Sequence, residues 1–163
     1  MHTGDVRTLF AVLVAVVAVL AGCGESPDGS ATKVDLDFAA TTLAGDDFDG
    51  GTLEGKPVVL WFWAPWCSSC RAQSGTVDGL AEKYEGRVEV VGVGGLDDAE
   101  AIRDMAENLP HLTHLVDDAG TVWKHFKVVE QSTFEIISAD GEVVAEGHLD
   151  DDELAAVVGD LAG

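Results

Sequence analysis

Two cysteines two residues apart, Cys67 and Cys70 in Trp66-Cys67-Ser68-Ser69-Cys70, are the groups in this chain best suited to do chemistry. A thiolate attacks a disulfide sulfur, a mixed disulfide forms and a second thiolate resolves it, so such a pair moves two electrons without a cofactor. The pair stands where a buried, strand-like run, Val58 to Trp63, gives way to a helical pattern. The start of a helix leaves N–H groups unpaired and carries the positive end of its dipole, which stabilises a thiolate. Thiols in such Cys-x-x-Cys motifs titrate between about 3.5 and 7.5, against about 8.5 for free cysteine. Cys67 is therefore the expected nucleophile, and Cys70, one turn later and deeper, the resolving thiol. The hydroxyls and N–H groups of Ser68 and Ser69 are placed to hydrogen-bond the Cys67 thiolate, which would make the pair more oxidising.

Other chemistries fit these residues less well. A structural disulfide closing so short a loop constrains little of the unfolded chain. A zinc site wants four ligands, and there is no second cysteine pair. A copper-carrying alternative would need an imidazole beside the thiolates, but His111, His114, His125 and His148 share no short spacing with them and are read as surface or loop residues. Neither a metal nor a cofactor is expected, and the non-enzymatic alternative is an inert disulfide.

The elements that must hold the pair alternate strand and helix. Val77, Leu80, Ala81 and Tyr84 mark a helix after Cys70, Val88 to Val93 a strand, and Ile102, Met105, Ala106 and Leu109 a helix stopped by Pro110. Leu112 to Val116 is a short extended piece, and Val122, Trp123 and Phe126 form a helical turn or two. Thr133 to Ser138 and Glu142 to Ala145 are strands joined across Asp140-Gly141, and Leu154, Val157, Val158 and Leu161 mark a closing helix. Upstream, Asp37 to Thr42 and Asp46 to Phe48 read as a small hairpin. This order asks for an α/β fold, a mixed sheet with helices on both faces.

The first 22 residues read as an export signal: Arg7 is followed by an unbroken apolar run, Leu9 to Leu20, too short for a spanning helix. Leu20-Ala21-Gly22-Cys23 resembles the lipobox of bacterial lipoproteins, which implies lipidation at Cys23 and attachment to the outer face of the cytoplasmic membrane. Residues 23–32 read as that lipidated cysteine and a small, polar tether, and residues 33–163 as one domain. Losing Asp5 and Arg7 with the leader leaves the net charge at −21, which argues against nucleic acid and against direct adsorption to anionic lipid.

Trp61 to Cys70, Trp-Phe-Trp-Ala-Pro-Trp-Cys-Ser-Ser-Cys, closely resembles the active-site strand and turn of thioredoxin-like proteins of the TlpA/ResA/DsbE group. The likeness continues through His114 to Trp123 and on to Phe134 and Ala139-Asp140-Gly141, with secreted actinobacterial members looking nearest. It implies a thioredoxin-like three-layer α/β/α sandwich with a mixed central sheet, here extended by the N-terminal hairpin. It implies thiol–disulfide exchange with exported proteins, a membrane thiol–disulfide electron partner, and a chain working as a monomer. Peroxiredoxins place Thr or Ser three residues before their reactive cysteine, and this chain has Ala64 there. Pro65 and Trp66 are expected to flank an exposed Cys67 sulfur and, with Ser68, Ser69, Gln131, Ser132 and Thr133, to form the client-binding surface.

Two departures stand out. Ser132 occupies the place of the family's cis-proline, and a cis bond before a non-proline is disfavoured by about 2.5–4 kcal/mol, so the Gln131–Ser132 bond is open to either geometry. Trp61 occupies the place of the buried acid that thioredoxin carries six residues before its first cysteine. Glu135, within an apolar run, is the candidate substitute as a proton carrier near Cys70; the alternative is an edge position with its carboxylate in solvent.

Overall fold

The computed structural model describes residues 33–163; the expected leader, the lipid site at Cys23 and the tether up to residue 32 lie outside the described residues. Val58–Trp63 (β3) is buried along its whole length, with no residue more than 2% exposed. Such a strand needs apolar cover on both faces and paired neighbours on both edges. Glu89–Gly95 (β4) lies parallel on one side and Thr133–Ile137 (β6) antiparallel on the other. Thr113–Asp117 (β5) extends the sheet beyond β4 and Val143–Gly147 (β7) beyond β6, giving the order β5-β4-β3-β6-β7. Ala39–Thr41 (β1) and Asp47–Asp49 (β2) form the separate antiparallel hairpin, and Thr42 bridges Leu115 to shield the β5 edge. Among the described residues no helix is long and apolar enough to cross a membrane.

Alternation along β3 divides the core. Val59, Trp61 and Trp63 face a layer built by Ser68–Lys83 (α1), Ala99–Ala106 (α2) and Asp151–Ala162 (α4), with Val77, Leu80, Ile102 and Leu154 packed among them. Val58, Leu60 and Phe62 face Thr121–His125 (α3) and the hairpin's Phe38 and Phe48. Asp117 is buried to start α3, its carboxylate accepting the N–H groups of Thr121 and Trp123 at 2.8 and 2.9 Å. The β6–β7 turn uses Gly141 at φ +83°, as the Asp-Gly pair predicts.

Three outcomes differ from expectation. The run of glycines in β4 was silent in the sequence but lets tryptophan rings lie flat on the strand, Trp63 over Gly92 and Gly94 and Trp123 against Gly95. His114 is not a surface or loop residue: it is 7% exposed on β5, edge-on to Trp63, with Nε2–H donating to Leu109 O at 2.8 Å, and burial holds its pKa below 6.5. Glu135 is not a proton carrier beside Cys70. Trp61 pairs with Phe134 and Leu60 with Glu135, so strand alternation turns Glu135 to the α3 face, away from the layer that contains Cys70. Nor is it an edge residue. β6 is interior, and Glu135 is half-buried directly across from Glu146 on β7; burial first, and the Glu146 charge second, raise its pKa above 4.5.

Two consequences are measurable. A Cβ on Gly94 would come within 2.6 Å of Ile102 and 2.8 Å of Trp63. Gly94→Ala should therefore lower the unfolding free energy in denaturant by about 1–3 kcal/mol, whereas an unchanged midpoint would mean that the rings shift freely. A carboxyl whose pKa is raised by folding binds its proton more tightly in the native state. Its contribution is thus largest below the unfolded pKa near 4 and is lost as pH rises through the folded value. Glu135→Gln should stabilise the protein at pH 7 by roughly 0.2–1 kcal/mol, with the gain vanishing near pH 4. Thermal unfolding at the two pH values reads this, and an equal gain at both would assign it to something other than charge.

Candidate active site

β3 ends in Ala64 and Pro65, and a tight turn closed by Cys67 N–H on Ala64 O at 3.1 Å brings the chain to the first turn of α1. Proline cannot continue the ladder and the sheet stops there. Cys67 is the N-cap of α1 and is joined to Cys70 by a disulfide, their Cα atoms 5.3 Å apart. Its sulfur takes the role usually filled by a serine or aspartate oxygen, accepting the Cys70 N–H at 3.1 Å. The Ser69 hydroxyl donates to the same sulfur at 3.1 Å; Ser68 is exposed. The first turn of α1 carries no acidic residue. Arg71, which the sequence did not single out, reaches back from α1 to donate to Pro65 O at 3.1 Å and adds positive charge to this turn.

Cys70 is fully buried, at the depth expected of it, but Cys67 is also only 5% exposed. The expectation of an exposed sulfur is corrected: Cys67 is buried, and Pro65 before it is half-buried. Trp66 is 51% exposed, and its indole N–H donates to Leu96 O at 3.1 Å. Leu96, which no sequence signal marked, follows β4 at φ +60°, is itself 48% exposed and meets Trp66 through its carbonyl. Gln73 was legible in principle, as a polar residue between Cys70 and Val77 on the apolar stripe of α1. It is 6% exposed and ties α1 to the segment before α4 through Nε2–H on Leu149 O at 2.7 Å.

Gln131, Ser132 and Thr133 come to the same end of the sheet, because Thr133 pairs with Phe62 and places Ser132 level with Trp63. The Gln131–Ser132 peptide bond is cis. Ser132 is 2% exposed, while Gln131 and Thr133 are half-buried. His148 approaches from the β7–α4 loop, its Nδ1–H donating to Ser132 O at 3.2 Å. Among the described residues no group of three or more His, Cys, Asp or Glu side chains lies close enough together to hold a metal ion.

Comparison with known proteins gives a consistent picture. Residues 32–146 match the AhpC/TSA family. The soluble secreted antigen MPT53 of Mycobacterium tuberculosis is 38% identical over 135 residues, spanning 82% of this chain and 76% of that protein. The thiol-disulfide oxidoreductase ResA of Oceanobacillus iheyensis is 35% identical over 142 residues, 84% of this chain and 71% of its own. Among solved structures, MTB dsbF superposes with a TM-score of 0.72 at 39% identity, over 77% of this chain and 96% of that one. A secreted Mycobacterium tuberculosis disulfide oxidoreductase homologous to E. coli DsbE gives 0.71 at 36% identity, over 77% and 97%. With its mixed five-stranded sheet, its flanking helices and a Cys-x-x-Cys disulfide capping α1, this chain belongs to the AhpC/TSA family, among the thioredoxin-like relatives that include MPT53, ResA and DsbE-like proteins.

Proposed function

We propose that this protein is an extracytoplasmic thiol–disulfide oxidoreductase that exchanges disulfides with exported proteins through Cys67 and Cys70. One observation carries the reading: a disulfide whose outer sulfur is the N-cap of a helix, in a chain similar to ResA and to a secreted disulfide oxidoreductase. In the reducing direction the Cys67 thiolate attacks one sulfur of a client disulfide, that S–S bond breaks, and one client thiolate leaves. Cys70, deprotonated, then attacks the Cys67 sulfur; the mixed disulfide breaks, the second client thiolate leaves, and the Cys67–Cys70 bond reforms. Two electrons pass to the client and two protons end on its thiols. In the oxidising direction the same steps run backwards from a client dithiol.

Each part of the site has a role in this cycle. The Cys70 N–H and Ser69 hydroxyl stabilise the charge on Cys67, and burial of Cys70 keeps it for the resolving step. Pro65, Trp66, Ser68 and Ser69 on one side and Gln131, Ser132 and Thr133 on the other form the client-binding surface. A membrane thiol–disulfide protein restores the pair between turnovers, and the chain acts as a monomer. The leader, residues 1–22, is removed, lipid on Cys23 holds the protein at the outer face of the cytoplasmic membrane, and residues 24–32 tether the domain of residues 33–163.

Cys70→Ser should accumulate mixed disulfides with exported proteins, visible as reducible high-mass bands, and Cys67→Ser should accumulate none. Bands of equal strength from both variants would remove the assigned order of attack. Equilibration with glutathione then gives the direction: a potential near about −120 to −180 mV marks a disulfide donor, and one near about −270 mV a reductant. Cys23→Ala should lose palmitate label and pass from the membrane fraction to the medium. Retention on the membrane without label would show that another element anchors it.

A further inference from the structure

The two departures from the family pattern meet in space. Trp61 is fully buried in the middle of β3, stacked on Trp63 at 5.7 Å and on Phe134 at 6.5 Å between ring centres. A buried indole N–H needs an acceptor, and these aromatic neighbours offer none: Phe134 has no polar atom and the Trp63 indole N–H is itself a donor. The acceptor is Ser132 Oγ, at 2.6 Å, itself 2% exposed. A proline at position 132 has no hydroxyl and would leave the indole unpaired. The serine there and the tryptophan in place of an acid therefore complement each other. Ser132 is also held by its carbonyl, which accepts the His148 Nδ1–H at 3.2 Å.

This arrangement reaches the reaction because of what each partner is attached to. Trp61 belongs to the strand that runs directly into Cys67, and Ser132 to the loop at the same end of the sheet. One hydrogen bond thus fixes the loop relative to the strand that delivers the nucleophile. From this we infer that Trp61 is a positioning residue for client binding, acting through Ser132 to hold the Gln131–Thr133 backbone where an extended client segment beside its cysteine would lie. The inference rests on the oxidoreductase reading above and assigns Trp61 no contact with client or with the reacting sulfurs.

Insulin disulfides, reduced through the enzyme at the expense of dithiothreitol, supply a protein client for the test. Trp61→Phe, which removes the donor and keeps an aromatic ring, and Ser132→Ala, which removes the acceptor, should each raise KM for insulin by about five- to tenfold with kcat within about twofold. Ser132→Thr restores the oxygen and should recover most of the KM lost in Ser132→Ala. The double variant Trp61→Phe/Ser132→Ala should be no worse than the weaker single variant, because both remove the same bond. A parent KM in both single variants, or a double variant whose loss is the product of the two, would overturn the inference. If either single variant fails to fold, the other, together with Ser132→Thr, still decides it. Failure of the parent protein both to reduce insulin and to oxidise a reduced protein dithiol would instead sink the oxidoreductase reading itself.

Discussion

The structure depends on burying both faces of one six-residue strand. Val58 to Trp63 carries no polar side chain apart from two indole N–H groups, so it is stable only with a full layer on each side and a hydrogen-bonded strand on each edge. The parallel partner β4 requires a crossover, which α1 supplies, and a crossover helix must begin where β3 ends. Burial of the strand therefore dictates that a helix N-terminus opens at Ala64 to Cys67. The same demand sets the composition of β4: Trp63 on one face leaves room at Gly92 and Gly94, and Trp123 on the other leaves room at Gly95, only for glycine.

Much of this was legible in the sequence because it is local. The apolar run of β3, the 3.6-residue stripe of α1, the Asp-Gly turn and the spacing of Cys67 and Cys70 each lie within a few residues, and each element is found close to where its pattern puts it. What could not be read depends on register between distant segments. Glu135 looks the same whether it faces Cys70 or the other side of the sheet, and only its pairing with Leu60 decides. Leu96 has an ordinary side chain, and nothing nearby announces its positive φ or its carbonyl under Trp66. His114 appeared as one histidine among several until β5 took its place beside β4.

Trp61 and Ser132 show the same limit from another side. Taken separately, each is the loss of a group that a thioredoxin-like site normally carries, an acid in one case and a proline in the other. They lie 71 residues apart, and only the antiparallel pairing of β3 with β6 brings the indole N–H to the hydroxyl. A substitution that costs a feature in one position can supply the partner for a substitution in another, so the two have to be interpreted together.

The electrostatics around Cys67 follow from what the chain leaves out. With 30 Asp and Glu residues, it begins α2 with Glu100 and α4 with Asp151, Asp152 and Glu153, where carboxylates favour the positive end of a helix dipole. α1 alone among these three has no acid in its first turn, and the anion that its N-terminus would stabilise is the sulfur itself. On the proposed cycle, reduction of the disulfide would place that charge at Cys67, toward whose sulfur the Cys70 N–H and the Ser69 hydroxyl already point. Hydrogen bonds to a charged group contribute about 1.5–3 kcal/mol each, and 30 mV corresponds to about 1.4 kcal/mol for a two-electron couple. Two such contacts are thus worth at most roughly 65–130 mV, comparable with the interval that separates reductants from oxidants in this fold. With Cys67 as the reacting sulfur, as proposed above, a few polar groups around it would be enough to tip the pair between disulfide donor and reductant.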